Sequence, residues 1–133
     1  MTLRRQFDLL PEDEGFLNDY GVSWESVIDG SHWVLLHDFP AGDRYNHSHP
    51  IAAIRMETGY PHAGLDMVYF FPALSRKDGE KIGAADAVQA IDGRSFQRWS
   101  RHRTAQNPWK PGEDNLGNHI HLIEDWLDRE FRK

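Results

Sequence analysis

The sequence predicts an α+β fold, in which helices cover one face of an antiparallel sheet. Three observations predict it. Strand-like apolar runs begin at Trp24, an acidic helical segment precedes them, and an amphipathic segment follows Leu116. Short connections between successive strands favour a four-stranded antiparallel meander. The chain has 133 residues, enough to bury a core, and we expect residues 1–133 to form a single domain.

The first helix is expected within Leu9–Leu17, where Pro11 stands early and acidic residues fill the first turn. Gly21 is a natural stop for it. The pair Asp29-Gly30 is a strong hairpin signal between the first two strands. The four expected strands are Trp24–Ile28, Trp33–Phe39, Ile51–Met56 and Met67–Phe71.

Beyond Pro72, residues 75–93 are polar, and we interpret them as a surface excursion with a short strand at Ala87–Ile91. A long turn-rich loop is then expected up to the last helix. That helix is capped by Asp114 or Asn115. Its apolar positions recur at spacings of three and four: Leu116, Ile120, Ile123, Leu127 and Phe131. Cations stand at the negative end of its dipole: Arg129, Arg132 and Lys133.

Composition narrows the function. The formal net charge is −6 and positive residues are concentrated in one segment, which argues for a protein or peptide partner over nucleic acid. No apolar run is long enough for a membrane span, and the first residues lack the apolar stretch of a secretory signal. The chain has no cysteine, so disulfides, thiolate metal sites and thiol nucleophiles are excluded. We therefore expect a cytoplasmic protein whose covalent chemistry, if any, uses oxygen or nitrogen.

Segment 93–116, GRSFQRWSRHRTAQNPWKPGEDNL, is the expected site. It holds two of the five tryptophans, and no carboxylate lies between Arg94 and Lys110. The segment is therefore positively charged in a chain whose net charge is negative. Surface loops often carry function, which is a second reason to expect the site here. Its cations are Arg94, Arg98, Arg101, Arg103 and Lys110, and its hydroxyls are Ser95, Ser100 and Thr104.

Several motifs carry a family resemblance. The pair Tyr60-Pro61, the strand Leu65–Tyr69 and the run Trp109-Lys110-Pro111 resemble the ubiquitin-conjugating enzyme superfamily. Three sequence motifs are similar to those of a bacterial branch, the prokaryotic conjugating-enzyme family E. They are LDMVYFFPAL, FQRWSRH and WKPGEDNLGNHI. The resemblance spans about Leu10 to Leu127. It implies a UBC-like fold and three partners: a ubiquitin-like protein, an adenylating activating enzyme and a deconjugating metallopeptidase.

The chain departs from the classical pattern of this superfamily. Phe71-Pro72-Ala73 stands where a His-Pro-Asn motif is expected, and no cysteine accepts the modifier. Classical thioester transfer is therefore excluded. In one remaining mechanism Ser100 forms an oxyester with His102 as its base, with Ser95 as a further candidate hydroxyl. In the other, the chain is a non-catalytic binding module that holds a modifier, an activating enzyme or a partner peptide.

The resemblance and the charge pattern also indicate partner-binding residues, but each has a structural alternative. The arginines match either an acidic partner or a buried carboxylate within the chain. The tryptophans can anchor a long loop as readily as contact a ligand. The expected partner-binding residues are Arg98, Trp99, Arg101, Arg103, Trp109 and Asp114.

Three other classes of protein fit the sequence less well. His47 and His49 alternate as in a metal-binding cupin, but Glu57 is poorly spaced and the last helix does not suit a barrel. His119 and His121 diverge on a helix, so one ion does not reach both. We expect no metal or cofactor. A small-molecule hydrolase using Ser100 lacks a recognisable third triad member, and stacking on single-stranded nucleic acid is a minor alternative.

Overall fold

A computed structural model describes residues 2–132 and contains two α-helices and a six-stranded antiparallel sheet. The strands are β1 (Trp24–Asp29), β2 (Ser31–Leu36), β3 (Ile51–Met56), β4 (Val68–Phe71), β5 (Val88–Ile91) and β6 (Arg94–Trp99). The helices are α1 (Pro11–Tyr20) and α2 (Leu116–Arg129), and a 3-10 turn, η1 (Glu130–Arg132), follows α2. The strand order is β1-β2-β3-β4-β6-β5. The α+β class is confirmed. The sheet has six strands where a four-stranded meander was expected: β5 corresponds to the short strand expected at Ala87–Ile91, and β6 was not expected.

Strand β6 corrects the prediction that segment 93–116 is a loop throughout. It lies between β4 and β5, with Arg98 opposite Tyr69 and Phe96 opposite Gln89. The turn that joins β5 to β6 is Asp92-Gly93, where both residues have positive φ, 53° and 79°. Two positive φ values are the signature of a two-residue hairpin turn that matches the twist of its strands.

The sheet buries both faces. On one face it packs against α1 and α2, and the other face forms a smaller core of its own. The second core exists because the sheet curls until the β5–β6 turn meets the β1–β2 turn, where the Asp92 N–H donates to Asp29 Oδ2 at 2.8 Å. The buried residues of the smaller core are Val27, Trp33, Leu35, Ala53, Tyr69, Ile91 and Phe96.

Arg4 holds this curl together. The N-terminal segment runs beside β1, and the Ser26 N–H donates to the Arg4 carbonyl at 3.0 Å. The Arg4 guanidinium bridges Glu25 on β1, at 2.8 Å, and Asp92 in the hairpin turn, at 2.6 Å. The hydrogen bonds from Arg4 lower the pKa of the Glu25 carboxyl to about 2. One side chain therefore joins three separate elements.

The start of α2 is fixed from two sides. Asn115 caps the helix, as one of the two predicted alternatives, because its side-chain oxygen accepts from the Asn118 N–H at 2.9 Å. Buried Asp13 of α1 accepts from the Tyr60 hydroxyl at 2.6 Å and from the Leu116 N–H at 3.3 Å. Tyr60 therefore ties the loop after β3 to both helices. The predicted Lys133 at the far end of α2 lies outside the described residues.

Candidate functional site

Residues 100–103 leave β6 and run beside residues 65–67, which lead into β4. The Met67 N–H donates to the Arg101 carbonyl at 3.1 Å, and the Ser100 N–H donates to the Ala84 carbonyl at 2.9 Å. The two segments are neighbours because β4 and β6 pair immediately beyond them, with Val68 opposite Trp99. This junction contains Ser100 and His102, the two foremost catalytic candidates.

His102 is paired with Asp66, a residue that the sequence analysis missed. Its Nδ1 lies 2.6 Å from Asp66 Oδ2, and the two side chains are 62% and 38% exposed. A carboxylate only accepts hydrogen bonds, so in the neutral ring Nδ1 carries the hydrogen and Nε2 keeps its lone pair. Within residues 2–132, Nε2 has no hydrogen-bond partner. No motif connects residues 36 positions apart, and only the β4–β6 pairing brings them together.

Met67, next to Asp66, has a backbone conformation that is rare for a side chain other than glycine. Its φ is 57°, which excludes it from β4, so that strand begins one residue later than predicted. Its N–H is held by Arg101, and its carbonyl accepts from His119 Nε2 at 2.8 Å. His119 is fully buried on α2, and burial lowers the pKa of its imidazole to about 4. A neutral buried histidine therefore supports the backbone that carries Asp66.

Among the described residues, neither candidate serine is hydrogen-bonded to His102. The Ser100 side chain is half-buried, and among the described residues its hydroxyl has no hydrogen-bond partner. Ser95 is exposed on β6, opposite Ala90, away from this junction. The structure thus supplies a histidine and an orienting carboxylate, while no hydroxyl in residues 2–132 is hydrogen-bonded to the histidine.

Two arginines of segment 93–116, Arg101 and Arg103, make ion pairs within the chain. Arg101 contacts the buried Glu130 carboxylate at 3.3 Å, donates to the Gly83 carbonyl at 3.0 Å, and lies over the Trp99 ring. Arg103 lies 3.7 Å from Asp114 and stacks over Trp109. The sequence left two explanations for these arginines, an acidic partner or a buried carboxylate within the chain. Arg101 contacts a buried carboxylate within the chain. Arg98 is half-buried opposite Tyr69, with its Nε unpaired among the described residues.

The two tryptophans of the segment pack against the core. Trp99 is fully buried, with its ring edge-on to Phe70, so its side chain offers no surface to a partner in this conformation. Trp109 is partly buried and donates through Nε1 to the Pro61 carbonyl at 3.0 Å. A Cβ on Gly64 would lie 2.7 Å from Trp109 Cγ, so only glycine fits under this ring. Asp114 accepts from the Lys110 N–H at 2.8 Å and closes the turn before α2.

Neither of the two histidine pairs in the sequence belongs to a group of metal ligands among the described residues. His47 and His49 lie in a loop rather than on the strand that a cupin-like site requires, and His49 Nδ1 contacts Ser48 Oγ at 2.9 Å. His119 is buried while His121 is exposed, as expected from their divergence on a helix. Residues 2–132 contain no group of three or more His, Asp or Glu side chains arranged to hold a metal ion. No helix in the same range has the length and apolar character needed to cross a bilayer.

Comparison with known proteins defines the class. A family model described as prokaryotic E2 family E matches residues 9–130. The match covers nearly the whole chain and identifies an E2-like protein with a role related to ubiquitin-like conjugation. The chain belongs to prokaryotic E2 family E. No curated protein and no solved structure matches the chain.

Proposed function

We propose that this chain is a noncovalent scaffold in a bacterial ubiquitin-like modification pathway. It binds a ubiquitin-like protein and its adenylating activating enzyme while another protein carries the acyl group. One observation carries the proposal. Where a conjugating enzyme needs an activated nucleophile, this chain has no cysteine, and the Ser100 hydroxyl has no hydrogen-bond partner among residues 2–132.

The chemistry of serine gives this observation its weight. A hydroxyl becomes a useful nucleophile only when a base takes its proton, which requires a contact of about 2.6–3.2 Å. His102 makes a contact of that length, but with Asp66 and not with Ser100. The internal ion pair of Arg101 further reduces the positive charge available to stabilise an oxyanion at Ser100.

Two finer assignments belong to the same proposal. We propose that the six-stranded α+β architecture is a variant of the UBC fold and that residues 1–133 form one domain. Family membership and the two-helix, antiparallel-sheet composition support both. A deconjugating metallopeptidase is proposed as a further member of the pathway. The proposed location of this chain is the cytoplasm.

Binding to the purified partners tests the scaffold. The full chain is titrated by calorimetry with the cognate ubiquitin-like protein and with its activating enzyme, in the absence of ATP. Saturable binding that persists in Ser100→Ala is expected, since the scaffold does not use that hydroxyl. Failure to bind either protein would contradict the proposal.

A second candidate function, an oxyester carrier, is favoured by the Asp66–His102 hydrogen bond, which supplies the third triad member that the sequence did not reveal. Ser100 Oγ would bond to the acyl carbon of the modifier adenylate as AMP leaves, and the hydroxyl proton would pass to His102 Nε2. The adduct would resist neutral thiol and yield to hydroxylamine. It would disappear in Ser100→Ala and persist in the control Ser95→Ala.

A further inference from the structure

We infer that Asp66 and His102 form a general-base site that takes a proton from an amine brought by a partner, as that amine attacks an acyl ester or thioester. The inference rests on the proposed scaffold function only for the source of the amine and the acyl group. The base itself is argued from the geometry of this chain. The pair Asp66–His102 is called the dyad below.

The hydrogen bond within the dyad orients the His102 ring as a base requires. Asp66 Oδ2 accepts from His102 Nδ1 at 2.6 Å, which orients the ring and leaves the Nε2 lone pair directed away from Asp66. Asp66 Oδ1 is buried and has no hydrogen-bond partner within residues 2–132. The negative charge of the carboxylate that is hydrogen-bonded to Nδ1 stabilises the imidazolium that forms when Nε2 takes a proton.

The dyad is also preorganised. A backbone conformation such as that of Met67 persists only where the surroundings enforce it, and such residues concentrate at functional sites. Here both backbone polar groups of Met67 are fixed, the N–H by Arg101 and the carbonyl by His119. His119 is itself fixed, edge-on to Trp126 within the helix-side core. Asp66 thus projects from a rigid framework rather than from a free loop.

The dyad has no nucleophile of its own among the described residues. No hydroxyl among residues 2–132 is hydrogen-bonded to His102, and the chain has no cysteine. The His102 side chain is 62% exposed, so its ring is open to a group on another molecule. A preorganised base that faces solvent, without a nucleophile of its own, suits a nucleophile carried by a second protein.

The reaction balances without a further reactant. The amine nitrogen bonds to the acyl carbon, the ester or thioester bond breaks, and the leaving group departs with the electron pair. His102 Nε2 takes the proton from nitrogen and returns it to the leaving group or to water. Asp66 stays ionised throughout.

The chain provides its own matched control. His121 Nδ1 lies 2.7 Å from Glu124 Oε1, and those side chains are 62% and 40% exposed, nearly the values of the dyad. That pair, however, sits within one turn of α2, three residues apart. A comparison between the two pairs therefore separates the fixed framework of the dyad from the effect of any exposed histidine beside a carboxylate.

The test uses p-nitrophenyl acetate as the acyl probe and glycinamide as the amine probe with the full chain. We expect wild type to add a rate proportional to both protein and amine concentrations. His102→Gln and Asp66→Asn are each expected to lower that rate at least about tenfold, since positioned bases contribute strongly to such steps. His121→Gln should leave it unchanged. Equal rates in wild type and His102→Gln would overturn the inference. So would a loss of rate in His121→Gln as large as that in His102→Gln. A wild-type rate in Asp66→Asn would show that Asp66 is not part of the base.

Nitrogen NMR of the imidazole rings gives a second measurement that needs no reaction. In wild type near neutral pH, the neutral His102 ring should carry its hydrogen on Nδ1, and that preference should weaken in Asp66→Asn. A hydrogen on Nε2 in wild type would contradict the base. Neither measurement uses the modifier. A covalent Ser100 adduct would therefore defeat the scaffold without altering the amine-dependent rate that tests the base, while loss of that rate would leave the scaffold standing.

Discussion

At the scale of single residues, Arg101 and Arg103 act first as internal ties. Both lie in residues 100–103, which follow β6. Arg101 pairs with the buried Glu130 of η1, and Arg103 pairs with Asp114, just before α2. Two cations of segment 93–116 thus form ion pairs with carboxylates elsewhere in the fold. Arg101 and Arg103 therefore contribute to the stability of the chain itself.

Removal of one tie should therefore cost stability. Arg101→Ala is expected to lower the free energy of unfolding by about 1–3 kcal/mol, because it removes hydrogen bonds to the Gly83 carbonyl and to a buried carboxylate. Arg94, which is exposed on β6, is the control, and Arg94→Ala should change stability by no more than about 0.5 kcal/mol. Urea denaturation measures both variants. Equal losses would argue against an internal role for Arg101.

His119 should give the protein a pH-dependent stability. Burial is the largest cause that lowers its pKa, from 6.5 to about 4, Arg103 adds to the lowering, and the Met67 carbonyl and Asp66 oppose it. The unfolded chain then takes up this proton before the folded chain does. Stability is full above about pH 6.5 and falls as the pH falls toward 4, by roughly 3 kcal/mol for this residue.

His119→Gln tests that window, because an uncharged amide can still donate to the Met67 carbonyl. Urea midpoints measured between pH 7 and 4 should depend less on pH in this variant than in wild type. His121→Gln, which changes an exposed histidine on the same helix, should keep the wild-type slope. An unchanged slope in His119→Gln would show that another group controls the acid response.

At the scale of elements, the curl of the sheet and the junction after β6 position the candidate site. Arg4 ties the N-terminal segment, β1 and the β5–β6 turn, and the β4–β6 pairing sets residues 100–103 beside residues 65–67. The dyad therefore depends on a contact between strands that are distant in sequence. Changes that open the curl should loosen the sheet around it.

The contribution of Arg4 is measurable against a similar surface pair. Arg4 and Arg55 are 39% and 37% exposed, but Arg4 bridges two carboxylates, one of them buried, whereas Arg55 pairs with the single, half-exposed carboxylate of Glu57 among residues 2–132. Arg4→Ala is expected to cost about 1–3 kcal/mol and Arg55→Ala less than about 1 kcal/mol. Thermal and urea unfolding provide the comparison. A larger loss in Arg55→Ala would contradict the bridging role.

The sequence predicted the local elements better than the pairing between them. Both helices, the Asn115 cap and the Asp29-Gly30 hairpin follow from local patterns. Strand β6 escaped detection because Phe96 and Trp99, three residues apart, point to opposite faces and are buried in different cores. A strand buried in this way lacks the alternation that predicts strands.

The same limit applies to the site. Ser100 and His102 were singled out because they are close in sequence, yet the partner of His102 is Asp66, which pairing between β4 and β6 brings near. Likewise, no local pattern shows that the carboxylate facing Arg101 is Glu130, in the last described turn. Contacts between distant segments depend on tertiary packing, and a single sequence does not encode them in any short pattern.

At the scale of the whole molecule, a family of conjugating-enzyme relatives includes a chain without the thiol on which classical conjugation depends. The chain retains a two-sided core, a fixed junction after β6 and an exposed dyad. These features suit a protein that binds its partners and assists a transfer between them, without carrying the acyl group itself.

The intact mass of the chain during a complete reaction tests this most directly. The full chain is incubated with the cognate ubiquitin-like protein, its activating enzyme and ATP, and its mass is followed alongside Ser100→Ala. If the chain is a noncovalent scaffold, wild type keeps its unmodified mass while it forms a complex with those proteins. A mass increase of one modifier less one water, present in wild type and absent in Ser100→Ala, would contradict the scaffold.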